Sequence, residues 1–130
     1  MERSVRIEDV MFESRVTFGT SGARGVARDM TDAVCFAYTA GFIQYLEKIG
    51  ELTPGTRIAV GGDLRGSTDR IMDAVSQAVR YRGHIPVNCG KLPTPAVAYF
   101  GLLEGIPTVT VTGSHIPEER NGIKFAKTAG

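Results

Sequence analysis

"RIAVGGDLRGSTDRIMDAVSQAVRYRGHIPVNCG", residues 57–90, decides the fold of this chain. "RIAVGG" is a short apolar run with the character of a strand, and "HIPVNCG" is a second. Between them "STDRIMDAVSQAVRYRG" reads as a helix, with Ser67 at its N-cap and Gly83 as its C-terminal stop. Strand, helix and strand joined by short connections predict a parallel sheet with right-handed crossovers.

The same alternation continues on both sides. Downstream, Thr94 and Pro95 make a cap and first-turn pair that opens the helix "TPAVAYFGLLEG". "PTVTVTG" is a strand rich in β-branched residues, and "NGIKFA" offers an Asn-Gly turn with a short antiparallel return. Upstream, Thr31 caps a helix in which Val34, Ala37, Gly41, Leu46 and Ile49 recur at roughly helical spacing, and Gly50 closes it. Before that, "RVTFGTSGARGVA" reads as a short strand, a glycine-rich loop and a return. The expected fold is α/β, a three-layer α/β/α sandwich around a mixed, mostly parallel sheet with an antiparallel edge, in one domain over residues 1–130.

Composition narrows the function classes. With 130 residues, 42% hydrophobic and 22% charged content and a net charge of +1, the chain reads as an ordinary globular protein. It has no basic run interleaved with aromatics, so no nucleic-acid surface is expected. Its start is charged rather than apolar, and no stretch approaches the ~20 apolar residues that cross a bilayer, so no membrane partner is expected either. Cys35 and Cys89 have no Cys-x-x-Cys or zinc-finger spacing and read as buried, reduced thiols of a cytoplasmic protein.

In parallel α/β sheets ligands bind beyond the C-terminal strand ends. Three polar segments are expected to leave that side: residues 19–25, 62–67 and 113–122. In "FGTSGARG" the glycines allow backbone N–H groups to approach an anion, Thr20 and Ser21 add hydroxyls, and Arg24 adds a fork suited to phosphate. The loop is neither a Walker P-loop nor a dinucleotide fingerprint, and a plain hairpin with an exposed arginine remains the alternative. In "GGDLRGST" the helix start and Ser67 can bind an anion, or Asp63 and Arg65 can brace each other or a neighbouring loop. In "TVTGSHIPEERNGIKF" Ser114 follows a strand without the Gly-x-Ser-x-Gly elbow of a hydrolase. Its surroundings, His115, Lys124 and Arg24, suit a serine carrying a phosphoryl group, which brings about −1.5 to −2 charges. Singly, these residues read as a turn serine, a solvated or core histidine and an edge-strand lysine; with two matching loops upstream they read as one site.

These motifs resemble the α-D-phosphohexomutase family. "FGTSGARG" is similar to its N-terminal phosphate loop, "GGDLRGST" to its Asp-x-Arg segment, "LPTPAVAY" to its Pro-Thr-Pro segment and "TGSHIPEERNGIKF" to its phosphoserine loop. The resemblance covers about residues 18–125 and only the first of the family's four domains. It implies that Ser114 donates and accepts the phosphoryl group. His115 would assist in proton transfer or positioning, and Lys124 would contact the phosphoryl group or act as acid or base. Thr20, Ser21 and Arg24 would hold the phosphoryl region, with Asp63, Arg65 and Asn121 in support. Two positions bear on the subgroup. Ile116 stands where many members have Asn, and Ser21 looks more like the glucose and mannose enzymes than the glucosamine branch.

The resemblance further implies interconversion of hexose 1-phosphate and 6-phosphate through hexose 1,6-bisphosphate. Mg2+ would be held in part through the phosphate on Ser114. The family's Asp-Gly-Asp-x-Asp-Arg magnesium loop is absent from these 130 residues, as are its sugar-reading and substrate-phosphate loops. The chain therefore reads as an isolated first domain with little or no turnover of its own, whose partners would be the hexose phosphate and the remaining domains, with possible self-association. The alternatives are a non-enzymatic phosphate or sugar-phosphate binding module and, more weakly, an acyl-transfer enzyme using Ser114 and His115.

Overall fold

The computed structural model of the chain describes residues 16–19, 22–113 and 120–127. Its strands are β1 (Thr17–Gly19), β2 (Gly22–Val26), β3 (Arg57–Gly62), β4 (Ile85–Lys91), β5 (Thr108–Val111) and β6 (Arg120–Ala126). Its helices are α1 (Asp32–Lys48), α2 (Thr68–Tyr81) and α3 (Thr94–Glu104), and a 3-10 turn, Ala27–Asp29, leads into α1. The strands form one six-stranded sheet in the order β1-β2-β6-β5-β3-β4.

Residues 57–90 fold as the sequence predicts, and β3 pairs in parallel with both β4 and β5. The antiparallel part is broader than a single return strand. β6 runs antiparallel to β5, β2 to β6 and β1 to β2. The glycine-rich segment near the start of the chain is a hairpin, and it joins the sheet through the last strand.

Alternation along β3 creates the layers. Ile58 and Val60 enter the main core with Cys35, Tyr38, Ile43 and Leu46 of α1 and Ile71, Val75 and Val79 of α2. Ala59 faces the other way, into a smaller cluster with Val97 of α3 and Ile106. The sheet is thus covered by α1 and α2 on one side and by α3 on the other. Each large apolar side chain fully buried in this way contributes about 1.5–3 kcal/mol.

At the C-terminal end of β3 both helices come close. A Cβ on Gly61 would lie 2.5 Å from Val97 Cγ2, and one on Gly62 would lie 2.5 Å from Thr68 Cγ2. Arg70 of α2 secures the connection into α1, donating to Met30 O at 2.8 Å and Ala27 O at 3.1 Å. Tyr38 Oη donates to Val16 O at 2.7 Å, which ties the start of β1 to α1.

The helix ends follow local chemistry, with two departures. Thr31 caps α1, its hydroxyl accepting from Val34 N at 3.2 Å. Gly83, at φ +85°, follows α2 in the left-handed conformation expected of a stop. Ser67 holds the N-cap position of α2, but its side chain makes no cap. Thr94 is the first helical residue of α3 rather than its cap, which is Pro93. Cys35 is fully buried and its thiol is pushed up to about 12, chiefly by burial. Cys89 is only half-buried, and both thiols are free. Among the described residues no helix is long and apolar enough to cross a membrane.

Candidate active site

The first residue beyond β3, Asp63, is the hub of the polar end of the sheet. Its backbone N–H donates to Val111 O at 3.0 Å, which draws the turn over the end of β5. Its Oδ1 accepts from Thr68 Oγ1 at 2.6 Å and from Arg65 N at 3.2 Å. Its Oδ2 accepts from Arg65 Nε and from Gly113 N, each at 3.0 Å. Partial burial pushes the Asp63 carboxyl up, but the hydrogen bonds from Thr68, Gly113 and Arg65 outweigh it and hold the carboxyl below its ordinary range. Of the two roles the sequence allows for this loop, mutual bracing is realised: Asp63 holds Arg65 and the neighbouring strand end together.

Asn121 completes the arrangement from β6. It is fully buried, and its Nδ2 donates to Ser67 Oγ at 2.8 Å and Thr68 Oγ1 at 3.2 Å. Its Oδ1 accepts from Gly122 N at 2.8 Å. The expected Asn-Gly turn is therefore not formed. Asn121 and Gly122 lie inside β6, where the asparagine side chain is engaged by α2 and the strands crowd the glycine. A Cβ on Gly122 would meet Ala23 O and Thr112 O, each at 3.0 Å.

Arg24 and Lys124 lie on the other face. Ala23 and Ile123 are paired and belong to the main core, so their neighbours Arg24 and Lys124 point away from α1 and α2. Arg24 is opposite Gly122, which makes Lys124 its diagonal neighbour, at a spacing of roughly 7–8 Å in such a ladder. Gly22, at φ +82°, presses against Ile123 O and Lys124 Cα, so no side chain fits there. Lys124 is exposed.

The nominated residues thus fall into two linked groups, Asp63, Arg65 and Asn121 on one side and Arg24 and Lys124 on the other. Thr20, Ser21, Ser114 and His115 lie outside the described residues. The expected meeting of three loops is realised for 62–67 and for the two ends of 113–122. The first segment is different: residues 22–26 are strand, and they join the group through register with β6. Sequence reading missed two participants, Thr68 and Gly113. The signal for Thr68 was the second hydroxyl of "GST". For Gly113 it was a glycine next to the candidate serine, and a Cβ there would overlap the Arg65 guanidinium.

No group of three or more His, Cys, Asp or Glu among the described residues could hold a metal ion. These residues do not by themselves fit a magnesium ion. A separate cavity of about 340 Å³ between α2 and β4, lined by Asp69, Asp73, Arg80 and Lys91 among others, contains none of the nominated residues.

A three-layer sheet domain that gathers its polar segments beyond the ends of its parallel strands is of the class that handles ligands at that edge. The chain belongs to the phosphoglucomutase/phosphomannomutase family, whose alpha/beta/alpha domain I matches residues 15–130. It is 44% identical over 108 residues to a phosphomannomutase of Sinorhizobium fredii (strain NBRC 101917 / NGR234), covering 83% of this chain and 23% of that protein. It is 38% identical over 122 residues to a phosphomannomutase of Salmonella muenchen, covering 94% of this chain and 25% of that protein. A phosphoglucosamine mutase of Thermotoga petrophila (strain ATCC BAA-488 / DSM 13995 / JCM 10881 / RKU-1) is 37% identical over 111 residues, covering 85% of this chain and 24% of that protein. The chain spans about a quarter of the length of these relatives.

Proposed function

We propose that these residues form the first domain of a cytoplasmic phosphohexomutase that interconverts the 1- and 6-phosphates of glucose or mannose, with Ser114 as the phosphoryl carrier. The observation that carries this reading is the anchoring of Gly113 and Asn121, which flank the serine-histidine segment, by Asp63 and the start of α2. Arg24 and Lys124, neighbours on the other face of the sheet, are the cations proposed to supply positive charge to it. Two relatives named phosphomannomutase, together with Ser21, support the glucose or mannose series over glucosamine.

In the first half-reaction the P–O bond to the Ser114 oxygen breaks as a hydroxyl oxygen of the hexose monophosphate bonds phosphorus. The sugar hydroxyl gives up its proton to a base and the product is hexose 1,6-bisphosphate. In the second half-reaction the serine oxygen bonds the other phosphorus as that group's P–O bond to the sugar breaks, the serine proton going to a base and the freed sugar oxygen taking up a proton. His115 and Lys124 are the proposed groups for proton transfer and charge stabilisation. Magnesium, where bound, would supply further charge stabilisation and needs ligands beyond the described residues.

The test is to treat the full-length mutase with hexose 1,6-bisphosphate and locate the phosphate by mass spectrometry. The phosphate is expected on Ser114, and Ser114→Ala is expected to lose turnover. Phosphate on another residue, or turnover in Ser114→Ala, overturns the proposal. A binding module without serine chemistry would take up no covalent phosphate.

A further inference from the structure

We propose that Thr68 is a positioning residue for phosphoryl transfer, its hydroxyl joining Asp63 and Asn121 into a clamp on both ends of the segment that carries Ser114. The inference rests on the function proposed above. The segment departs from Gly113 and returns into β6 one residue before Asn121. The two strands are already paired, with Thr112 N donating to Gly122 O at 2.9 Å. That ladder ties the strands only to each other. The clamp adds a third body, the start of α2: Asp63 holds Gly113 at one end and is itself held by Thr68, while Asn121 at the other end donates to Thr68 and to Ser67.

The polarity of the bonds is determined. A threonine hydroxyl has one proton, and here it goes to the Asp63 carboxylate at 2.6 Å, while its oxygen accepts from Asn121 Nδ2 at 3.2 Å. Thr68 and Asn121 are both 0% exposed, so water cannot replace either partner. Asp63 receives four donors from the described residues and has little freedom to turn. Geometry at a reacting atom is sensitive to such support, a misplacement of 1 Å costing about 10²-fold in rate.

The hydroxyl and the methyl of Thr68 serve different ends. The hydroxyl belongs to the clamp, while Cγ2 packs toward Gly62 at the end of β3. Thr68→Val keeps the bulk and removes the hydroxyl that joins Asp63 to Asn121, leaving the Asp63–Gly113 and Asn121–Ser67 bonds in place; Thr68→Ser keeps the hydroxyl and loses the methyl.

The experiment uses the full-length mutase, phosphorylated with hexose 1,6-bisphosphate, with occupancy measured by intact mass. The single-turnover rate of transfer to hexose 1-phosphate is expressed per phosphorylated molecule, so that unfolded protein drops out. Thr68→Val is expected to slow transfer about 10- to 100-fold with KM changed less than about threefold, and Thr68→Ser to stay within about threefold of the parent. A parental rate in Thr68→Val, or equal slowing in both variants, overturns the clamp. Should Thr68→Val not fold, Asn121→Asp decides in its place, since it keeps the acceptor for Gly122 N and loses the donor to both Thr68 and Ser67; a parental rate there overturns the clamp. Turnover in Ser114→Ala sinks the functional reading itself, whereas a dead Ser114→Ala beside a normal Thr68→Val sinks only the clamp.

Discussion

Replacing Gly113 by alanine would drive a methyl group into the Arg65 guanidinium. The added Cβ overlaps Cζ and Nε and comes within 2.6 Å of Nη2. A long side chain can usually swing aside at small cost, but this one is held by Asp63, with Nε 3.0 Å from Oδ2. The methyl is accommodated only if that bond breaks. The two side chains are 13% and 26% exposed, so water recovers part of the loss, and a charge-assisted bond in such a place is worth about 1–2 kcal/mol. For a domain of this size that is a drop in Tm of roughly 4–9 °C. The assay is thermal and urea unfolding of the parent, Gly113→Ala, Arg65→Ala and the double variant. If the guanidinium is what the methyl meets, Gly113→Ala should cost less than about 0.5 kcal/mol once Arg65 is already alanine. An equal penalty in both backgrounds would refute the reasoning.

Gly101→Ala tests the packing of α3 on the sheet. Its Cβ would overlap Thr108 Cγ2 and lie 2.9 Å from Ile106 O, so a loss of about 1–3 kcal/mol is expected, with partial recovery in Gly101→Ala/Thr108→Ser, measured by urea unfolding. Acid should weaken the fold through Asp63 and Glu47, whose carboxyls lie below their ordinary values of 3.8 and 4.5. At Glu47 burial pushes the group up, and the bonds from Arg82 and His84 outweigh it. The unfolded chain takes up protons first, so this stabilisation is whole above about pH 5 and is lost as pH falls through the folded values. Unfolding free energies should decline over that range, less steeply in Asp63→Asn, and a flat profile would refute the assignment.

The fold was legible in the sequence because local signals agreed with the tertiary outcome. The capping hydroxyl of Thr31, the glycine after α2 and the apolar runs at 57–62 and 108–111 all marked elements that formed. The Asn-Gly pair misled because turn chemistry is a local preference, whereas Asn121 is claimed by hydroxyls more than fifty residues away in sequence. The same distance hid Thr68, whose neighbours across the sheet no local pattern can reveal. The separation of Asn121 from Lys124 was legible in principle: an odd spacing along a strand sends two side chains to opposite faces.

The strand order also sets a timetable for assembly. Ala23 of β2 pairs with Ile123 of β6, about a hundred residues later in the chain. During synthesis the hairpin of β1 and β2 emerges first, but β6 follows only on the order of 5–20 s afterwards at ordinary elongation rates. A two-stranded hairpin is marginal in water by itself, and before β6 is made its ties to the rest of the domain are those to α1, such as the Tyr38–Val16 bond. Arg24 gains its partner strand, and Asn121 its place against α2, only when β6 lies between β2 and β5. Of the described strands, the one that joins β2 to the rest of the sheet is therefore the last to be synthesised, and a nascent chain stalled before it lacks Asn121 and Lys124.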